Sequence, residues 1–434
     1  VLGFALVATL ASGAFFGLAP AVGAARLDLQ GALRGATAHH ARKLRRALVV
    51  AGVGLALVLL AGASLLARSF AKVLEVDPGF DPRGAVTLTV ALPSPTGEDT
   101  PADRDRYRSF FDRARQRLSE LPSVTAAGAA NIVPMAGATD RLFEIESRPT
   151  PPGSEPPDAE FRVITPGFFE AAGIRIVRGR AFADTDAPES PRVAVVNETF
   201  ARIFFPGEEV MGQRVRVDQG SPWRAIVGVV HDVHEVGLEE KVPPTLYYPF
   251  AQYPGNVMTF LVRSPRPAAD MMRDAEGALA AVDPAVPPYR VRPFAELVTR
   301  SLSQRTFALA LVQAFALVAL VLAGIGLYGV LAYSVARRTR EIGVRMALGA
   351  PRAHVLGLVI RESAAVVGVG ALIGGVGALA AGKAAAGLLY GIEPVDPIAL
   401  GAAVLVLGAV CAVATLLPAR RATHVDPAVA LRAE

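Results

Sequence analysis

Few side chains in this sequence stand where chemistry would need them. His231 and His234 lie three apart around Asp232, a spacing at which imidazole and carboxylate can reach one divalent cation. Directly after a valine-rich strand the same residues also read as an exposed turn. Asp184 and Asp186 put two carboxylates in a polar loop, short of the several oxygen ligands a calcium ion takes. No GxxxxGK[ST] phosphate loop, GxSxG nucleophile elbow or HExxH zinc helix is present. The expected catalytic, cofactor-binding and metal sets are therefore empty, and the chain reads as no enzyme. Cys411, the single cysteine, sits in an apolar run, so no disulfide framework can form within one chain.

A different arrangement of charge surrounds Glu341. It stands four residues from both Arg337 and Arg345, on one helical face. Ile342, Met346, Leu348 and Val355 add an apolar side. Such an amphipathic basic segment suits a membrane surface, where it can rest on anionic lipid.

The elements that carry these residues are mostly apolar. Hydrophobic residues make up 52% of the 434, and the mean hydropathy is +0.40. About 20 uncharged residues suffice to cross a bilayer as a helix. Five runs qualify: 1–25, 47–67, 307–336, 363–382 and 397–419. Basic residues flank them asymmetrically. Arg26, Arg34, Arg42, Lys43, Arg45 and Arg46 follow the first run, Arg337, Arg338, Arg340, Arg345 and Arg352 the third, and Arg420 and Arg421 the last. The positive-inside rule makes these cytoplasmic, which puts residues 71–305 and the short loop at 393–396 outside. Arg68 and Lys72 break the rule, but long translocated domains are exempt from it. The net charge of +5 follows from these flanks, so no nucleic-acid partner is expected. Partners in this reading include the lipid bilayer itself.

Residues 18–35 align without gaps on 416–433, with eight of eighteen positions identical, among them Pro20 with Pro418, Asp28 with Asp426 and Arg34 with Arg432. Each copy follows a span, the mark of tandem duplication. The chain opens on Val1 with no basic n-region, so the expectation is that its natural beginning lies further upstream. The domains then read as 1–25, last helix of an upstream copy; 26–46, cytoplasmic linker; 47–70, transmembrane helix; 71–305, extracytoplasmic domain; and 306–434, a segment with three transmembrane helices and the basic stretch around Glu341.

Within 71–305, residues 85–92 alternate as a strand, and Tyr107, Phe110, Phe111, Ala114, Leu118 and Leu121 recur at helical spacing. Residues 192–196 and 223–230 are further strands, with Asn197 placed to cap a short helix from Glu198. Gly368, Gly370, Gly374, Gly375 and Gly377 crowd one span, and Gly370 with Gly374 forms GxxxG, a helix-packing signature serving either one chain or the two halves of a duplicated bundle. Lys383 reads as a snorkelling anchor.

Residues 166–217, with Phe168, Gly173, Gly179, Arg180, Phe182, Asn197, Phe200, Ala201, Pro206 and Gly212 at motif positions, resemble the periplasmic core domain of MacB-like permeases. VGVVHD at 227–232 and DPGFDPR at 77–83 fit the same domain, and ARRTREIGVRMALGA at 336–350 resembles the signature of the FtsX-like permease domain. The resemblance implies the fold: an α-helical transmembrane bundle of about five spans with an α+β extracytoplasmic domain inserted between the first and second helices of the complete repeat. It also implies an ABC-transporter permease, multi-pass in the bacterial inner (cell) membrane. Such a permease couples ATP hydrolysis on a cytoplasmic ABC ATPase to movement of the periplasmic domain. Efflux, or export of lipoprotein, lipid or peptide by mechanotransmission, is the implied work. No cofactor is expected in this chain, ATP being held by the partner, and a periplasmic or outer-membrane protein is a further possible partner. The resemblance gives the ATPase-coupling role to Glu341, Gly343, Arg345, Gly349 and Ala350. The competing class is a membrane-bound extracytoplasmic sensor or scaffold without transport.

Overall fold

The computed structural model describes residues 36–94, 100–218, 220–337 and 351–423. The first apolar run, 1–25, and the segment holding Glu341, Gly343, Arg345, Gly349 and Ala350 lie outside the described residues. The chain divides into two compact units, one of Val73–Thr306 and one of Val1–Lys72 with Phe307–Glu434.

The described part of the second unit is helical. Helix α1 spans Ala36–Leu74, and three more helices run Ser303–Arg337, Arg352–Ala384 and Pro397–Thr423. Each holds a stretch long and apolar enough to cross a membrane: Lys43–Leu74, Ser303–Ser334, Ser363–Ala384 and Pro397–Pro418. A helix suits lipid because it satisfies every backbone polar group internally.

The other unit is built on strands. Its elements in chain order are β1 (Ala85–Ala91), α2 (Pro101–Ser119), β2 (Ala126–Ala130), β3 (Asp140–Ile145), β4 (Asp158–Ile164), α3 (Phe168–Ala172), β5 (Ile176–Gly179), β6 (Val193–Asn197), α4 (Glu198–Phe204), β7 (Arg214–Val217), β8 (Arg224–Val230), β9 (Thr245–Pro249), β10 (Val257–Arg263), α5 (Ala268–Val282), β11 (Tyr289–Pro293) and α6 (Phe294–Ser301). The long helices after it are α7 (Ser303–Arg337), α8 (Arg352–Ala384) and α9 (Pro397–Thr423). The strands expected at 85–92, 192–196 and 223–230 are present with ends shifted by one residue.

Strand pairing runs β11-β1-β10-β2-β4-β3-β7-β8-β6-β9, with β5 on β8. The first four strands form two interleaved β-α-β units. β1-α2-β2 has β10 between its strands, and β10-α5-β11 has β1 between its strands, all neighbours being antiparallel. Residues 131–256 are inserted between them. There β4 pairs antiparallel with β3 and parallel with β9, so β4, β3, β7, β8, β6 and β9 close into a ring. Closure removes the unpaired edges that would otherwise recruit other strands.

Local sequence explains the helices over the open sheet. Thr100 and Asp103 form a reciprocal capping box with Pro101 in the first turn of α2. Tyr107, Phe110, Phe111, Ala114 and Leu118 then fall on one buried face. They meet Met271, Ala275 and Leu279 of α5 and the strand residues Leu88, Val90 and Phe260 in one core. Phe111 packs edge-on to Phe250 at 5.4 Å. Burying each such aromatic contributes about 1.5–3 kcal/mol.

Candidate functional site

The candidate residues fall in two sets, a transmembrane seam in one unit and a domain framework in the other. Among the described helices of the membrane unit α1 is the best enclosed. Of its apolar window 44% is buried, against 17% to 28% for α7, α8 and α9. Val49, Val53, Ala56, Leu57 and Ala61 of α1 meet Leu320, Ala323, Leu327 and Leu331 of α7 and Ala403, Leu407, Cys411 and Ala414 of α9. Spacings of three and four residues on each helix make these seams.

Gly370 and Gly374 of α8 lie directly on α1. A Cβ at Gly370 would come within 2.8 Å of Val53 Cβ, and one at Gly374 within 2.6 Å of the Gly54 carbonyl oxygen. The backbones therefore touch at a distance only hydrogen side chains permit. Gly377 meets Val58, whereas Gly368 and Gly375 face open space. The GxxxG pair thus packs within this chain.

Further along α1, Ser69 Oγ accepts the Tyr390 N–H at 2.7 Å and donates to the Tyr390 carbonyl at 3.3 Å. Arg68 pairs with Asp396 at 3.2 Å. Asp396 in turn accepts the Ile398 and Ala399 N–H groups that open α9, a helix-capping arrangement. At the other end Arg45 stacks over the Tyr333 ring of α7 at 4.8 Å. Sequence reading missed the Arg68–Asp396 and Ser69–Tyr390 contacts. The signal available was Arg68 itself, a cation on the wrong side of its span, opposite a loop lacking Lys and Arg.

The motif positions of the other unit have structural roles. Asn197 caps α4, its Oδ1 accepting from Phe200 N at 2.9 Å and from Thr245 N at 2.9 Å while its amide donates to Pro243 O at 2.9 Å. Phe168, Phe182 and Phe200 are buried. Gly179 has φ +70°, and a Cβ there would meet Val227 O at 2.2 Å, so only glycine fits the turn where β5 leaves β8. Arg180 forks onto Asp186 at 2.7 and 2.8 Å, and Ala183 N donates to the same carboxylate at 2.9 Å. Burial works against the ionised Asp186 carboxyl, but the fork and the backbone donor outweigh it and hold its pKa below the usual value.

The histidines are not brought together as ligands. His231 Nδ1 bonds Glu198 at 2.7 Å, His234 Nδ1 lies 3.2 Å from Gly237 O, and Asp232 accepts from the Thr199 N–H and hydroxyl at 2.7 Å each. Asp184 pairs with Arg115 at 2.8 Å, away from the Asp186 fork. Among the described residues no group of three or more His, Cys, Asp or Glu is placed to hold a metal.

Behind β4 lies a charge cluster that the sequence did not disclose. Arg162 reaches Glu160 at 2.6 Å and Glu235 at 3.0 Å, with all three almost fully buried. Arg162 also donates to the Phe161 and Gly137 carbonyls, and Thr139 N donates to Glu160. Tyr247 donates to Glu235. Burial raises the pKa of Glu235, since two carboxylates share one guanidinium in a medium that disfavours surplus charge.

Comparison with known proteins places this geometry. The model of the MacB-like periplasmic core domain matches residues 47–279. The chain belongs to the family of ABC-transporter permeases with a MacB-like periplasmic core domain. Residues 314–427 of the permease match the FtsX-like permease C-terminal domain. Over 414 residues, 91% of its length, it is 29% identical to the macrolide export ATP-binding/permease protein MacB of Azoarcus sp., of which it covers 58%. It is 24% identical to the ABC transporter permease YknZ of Bacillus subtilis over 64% of this chain and 71% of that one. The periplasmic region of MacB from Actinobacillus actinomycetemcomitans aligns with 54% of the permease and 98% of that structure, at 15% identity and a TM-score of 0.36. The permease spans about half the length of the MacB proteins it matches. It is a membrane protein, with an extracytoplasmic α+β domain set in a helical permease.

Proposed function

We propose that this permease sits in the bacterial inner membrane and converts ATP hydrolysis by a cytoplasmic ABC ATPase into movement of its extracytoplasmic domain, to drive efflux or export. The reading rests chiefly on α1. This helix leads the chain into the extracytoplasmic domain, and it is the most enclosed of the described spans. Its contacts to Tyr333, to the Gly370–Gly374 seam, and to Tyr390 and Asp396 tie it to its neighbours along its length. A displacement of α7, α8 or α9 is then carried by α1. The runs 47–67, 307–336, 363–382 and 397–419 contain no Asp, Glu, Lys or Arg, the groups that commonly mark a path for ions or polar solutes through lipid. That favours mechanical work on cargo outside the bilayer over conduction through it.

The basic segment around Glu341 is the proposed contact for the ATPase, with Gly343, Arg345, Gly349 and Ala350 as its other members. The test is ATP turnover by the permease reconstituted with its ATPase in lipid nanodiscs. Glu341→Lys and Arg345→Glu are each expected to lower turnover severalfold while the complex still inserts. Wild-type turnover in both variants counts against the coupling assignment. An ATPase that does not co-purify at all returns the molecule to a sensor or scaffold.

A further inference from the structure

Edge strand β11 carries an irregularity with no role in the packing described above. Thr89 faces Tyr289 and Thr87 faces Arg292. Leu88 of β1 is therefore opposed by two residues, Arg290 and Val291, which is a β-bulge. Arg290 stands in the bulge with φ +52°, the left-handed region where glycine is the usual occupant. Strain of this kind collects at ligand sites, because a bulge re-aims the side chains beside it.

Arg290, Val291, Arg292, Glu296 and Arg300 line a cavity of about 380 Å³. Glu296 is engaged by Arg300, whose Nε donates to it at 2.7 Å. Arg290 lies over the Tyr289 ring at 5.7 Å, and Glu296 offsets part of the charge around Arg292. Arg292 Nε is shielded from solvent and has no hydrogen-bond partner, an uncommon and costly state for a buried N–H. Burial and then the like charges of Arg300 and Arg290, against the offset from Glu296, depress the pKa of the Arg292 guanidinium. An arginine cluster left to ordinary solvation would keep its donors wet and its backbone relaxed. Here Arg290 has a strained backbone and Arg292 a dry Nε, and a single carboxylate, Glu296, stands against three guanidinium groups.

We propose that the Arg290–Arg292–Arg300 cavity binds a phosphate group, and that its natural source is the headgroup of an anionic phospholipid. Planar guanidinium forks match the oxygens of a phosphate ester better than any lysine cluster. The lipid source follows from the chain: only residues 301–306 separate Arg300 from Phe307, where the apolar third run begins. Seven residue steps reach at most about 25 Å, so a short tether joins the cluster to the start of that run. This inference goes beyond coupling to an ATPase and does not depend on it.

The test uses the full chain in a neutral detergent, titrated with fluorescent-tailed phosphatidylglycerol, with phosphatidylcholine, and with inorganic phosphate as competitor. Arg290→Gly keeps the left-handed backbone without strain and removes one guanidinium. Arg292→Lys keeps charge but loses the fork. Each is expected to weaken phosphatidylglycerol binding severalfold, and the Arg290→Gly/Arg292→Gln pair by on the order of tenfold, relative to Arg273→Gln on α5 as control. Tight phosphatidylglycerol binding that inorganic phosphate displaces only weakly supports the lipid headgroup. Displacement by phosphate at lower concentration than lipid supports the phosphate site and assigns it a soluble ester. Binding by Arg290→Gly equal to the control would overturn the proposal. So would saturable capture of a polyglutamate peptide where neither phosphate ligand binds.

Discussion

At the scale of single residues, the extracytoplasmic domain depends on charges that have no access to water. Arg162 holds Glu160 and Glu235 together, with its own side chain 1% exposed. Removing it leaves two buried carboxylates facing each other. Arg162→Met is therefore expected to destabilise the domain by about 3–5 kcal/mol, read as a lowered urea midpoint. The reporter is Trp223, the chain's single tryptophan, over which Arg216 stacks at 4.4 Å. An unchanged midpoint would show the cluster to be energetically idle.

Asp186 gives a signed dependence on pH. Its carboxyl is held below the usual value when folded, so the unfolded chain takes up the proton first as pH falls. The stability it contributes is complete above the unfolded-state pKa of about 3.9 and drains away as pH drops through the lower folded value. Asp186→Asn should thus be less stable than wild type near neutrality, and the gap should narrow on acidification through that window. Parallel curves down to the lowest pH measured would contradict the assignment.

At the scale of elements, contact between α1 and α8 is set by glycine. Gly374→Val would force a Cβ to 2.6 Å from Gly54 O, a backbone atom that cannot step aside, and overpacking of this kind costs about 1–3 kcal/mol. Gly375→Ala, whose Cβ meets nothing within 4 Å, is the matched control. Thermal unfolding in detergent should separate the two, with a lower transition for Gly374→Val alone. Equal transitions would mean the helices do not press together there. The glycines were legible as packing residues because a GxxxG pair has few other uses in lipid. Their partner was not, since apolar spans offer many equivalent faces and only coordinates choose among them. Asn197 was decided locally: a polar side chain before a helix finds backbone N–H donors within three residues. The Arg162 cluster was not, because its members lie on β4 and on a loop more than 70 residues away, and a charged residue in a strand reads by default as solvent-facing.

At the scale of the whole molecule, the four described helical spans were the most legible part, since crossing lipid demands about 20 nearly uniformly apolar residues in a row. Alternation also marked individual strands of the extracytoplasmic domain, but closure of six of them into a ring depends on pairings such as β4 with β9, which join residues over 80 positions apart. One consequence follows from the way the domain is stitched. β1, near its start, and β11, near its finish, are antiparallel neighbours, with Val86 opposite Pro293, so both tethers leave from the same corner. A load shared by the two tethers would tow the domain as one body and leave their common ladder unstressed. A load that spread them would instead unzip β11 from β1 rung by rung, the weakest way to stress a β-sheet, making that corner a mechanical fuse.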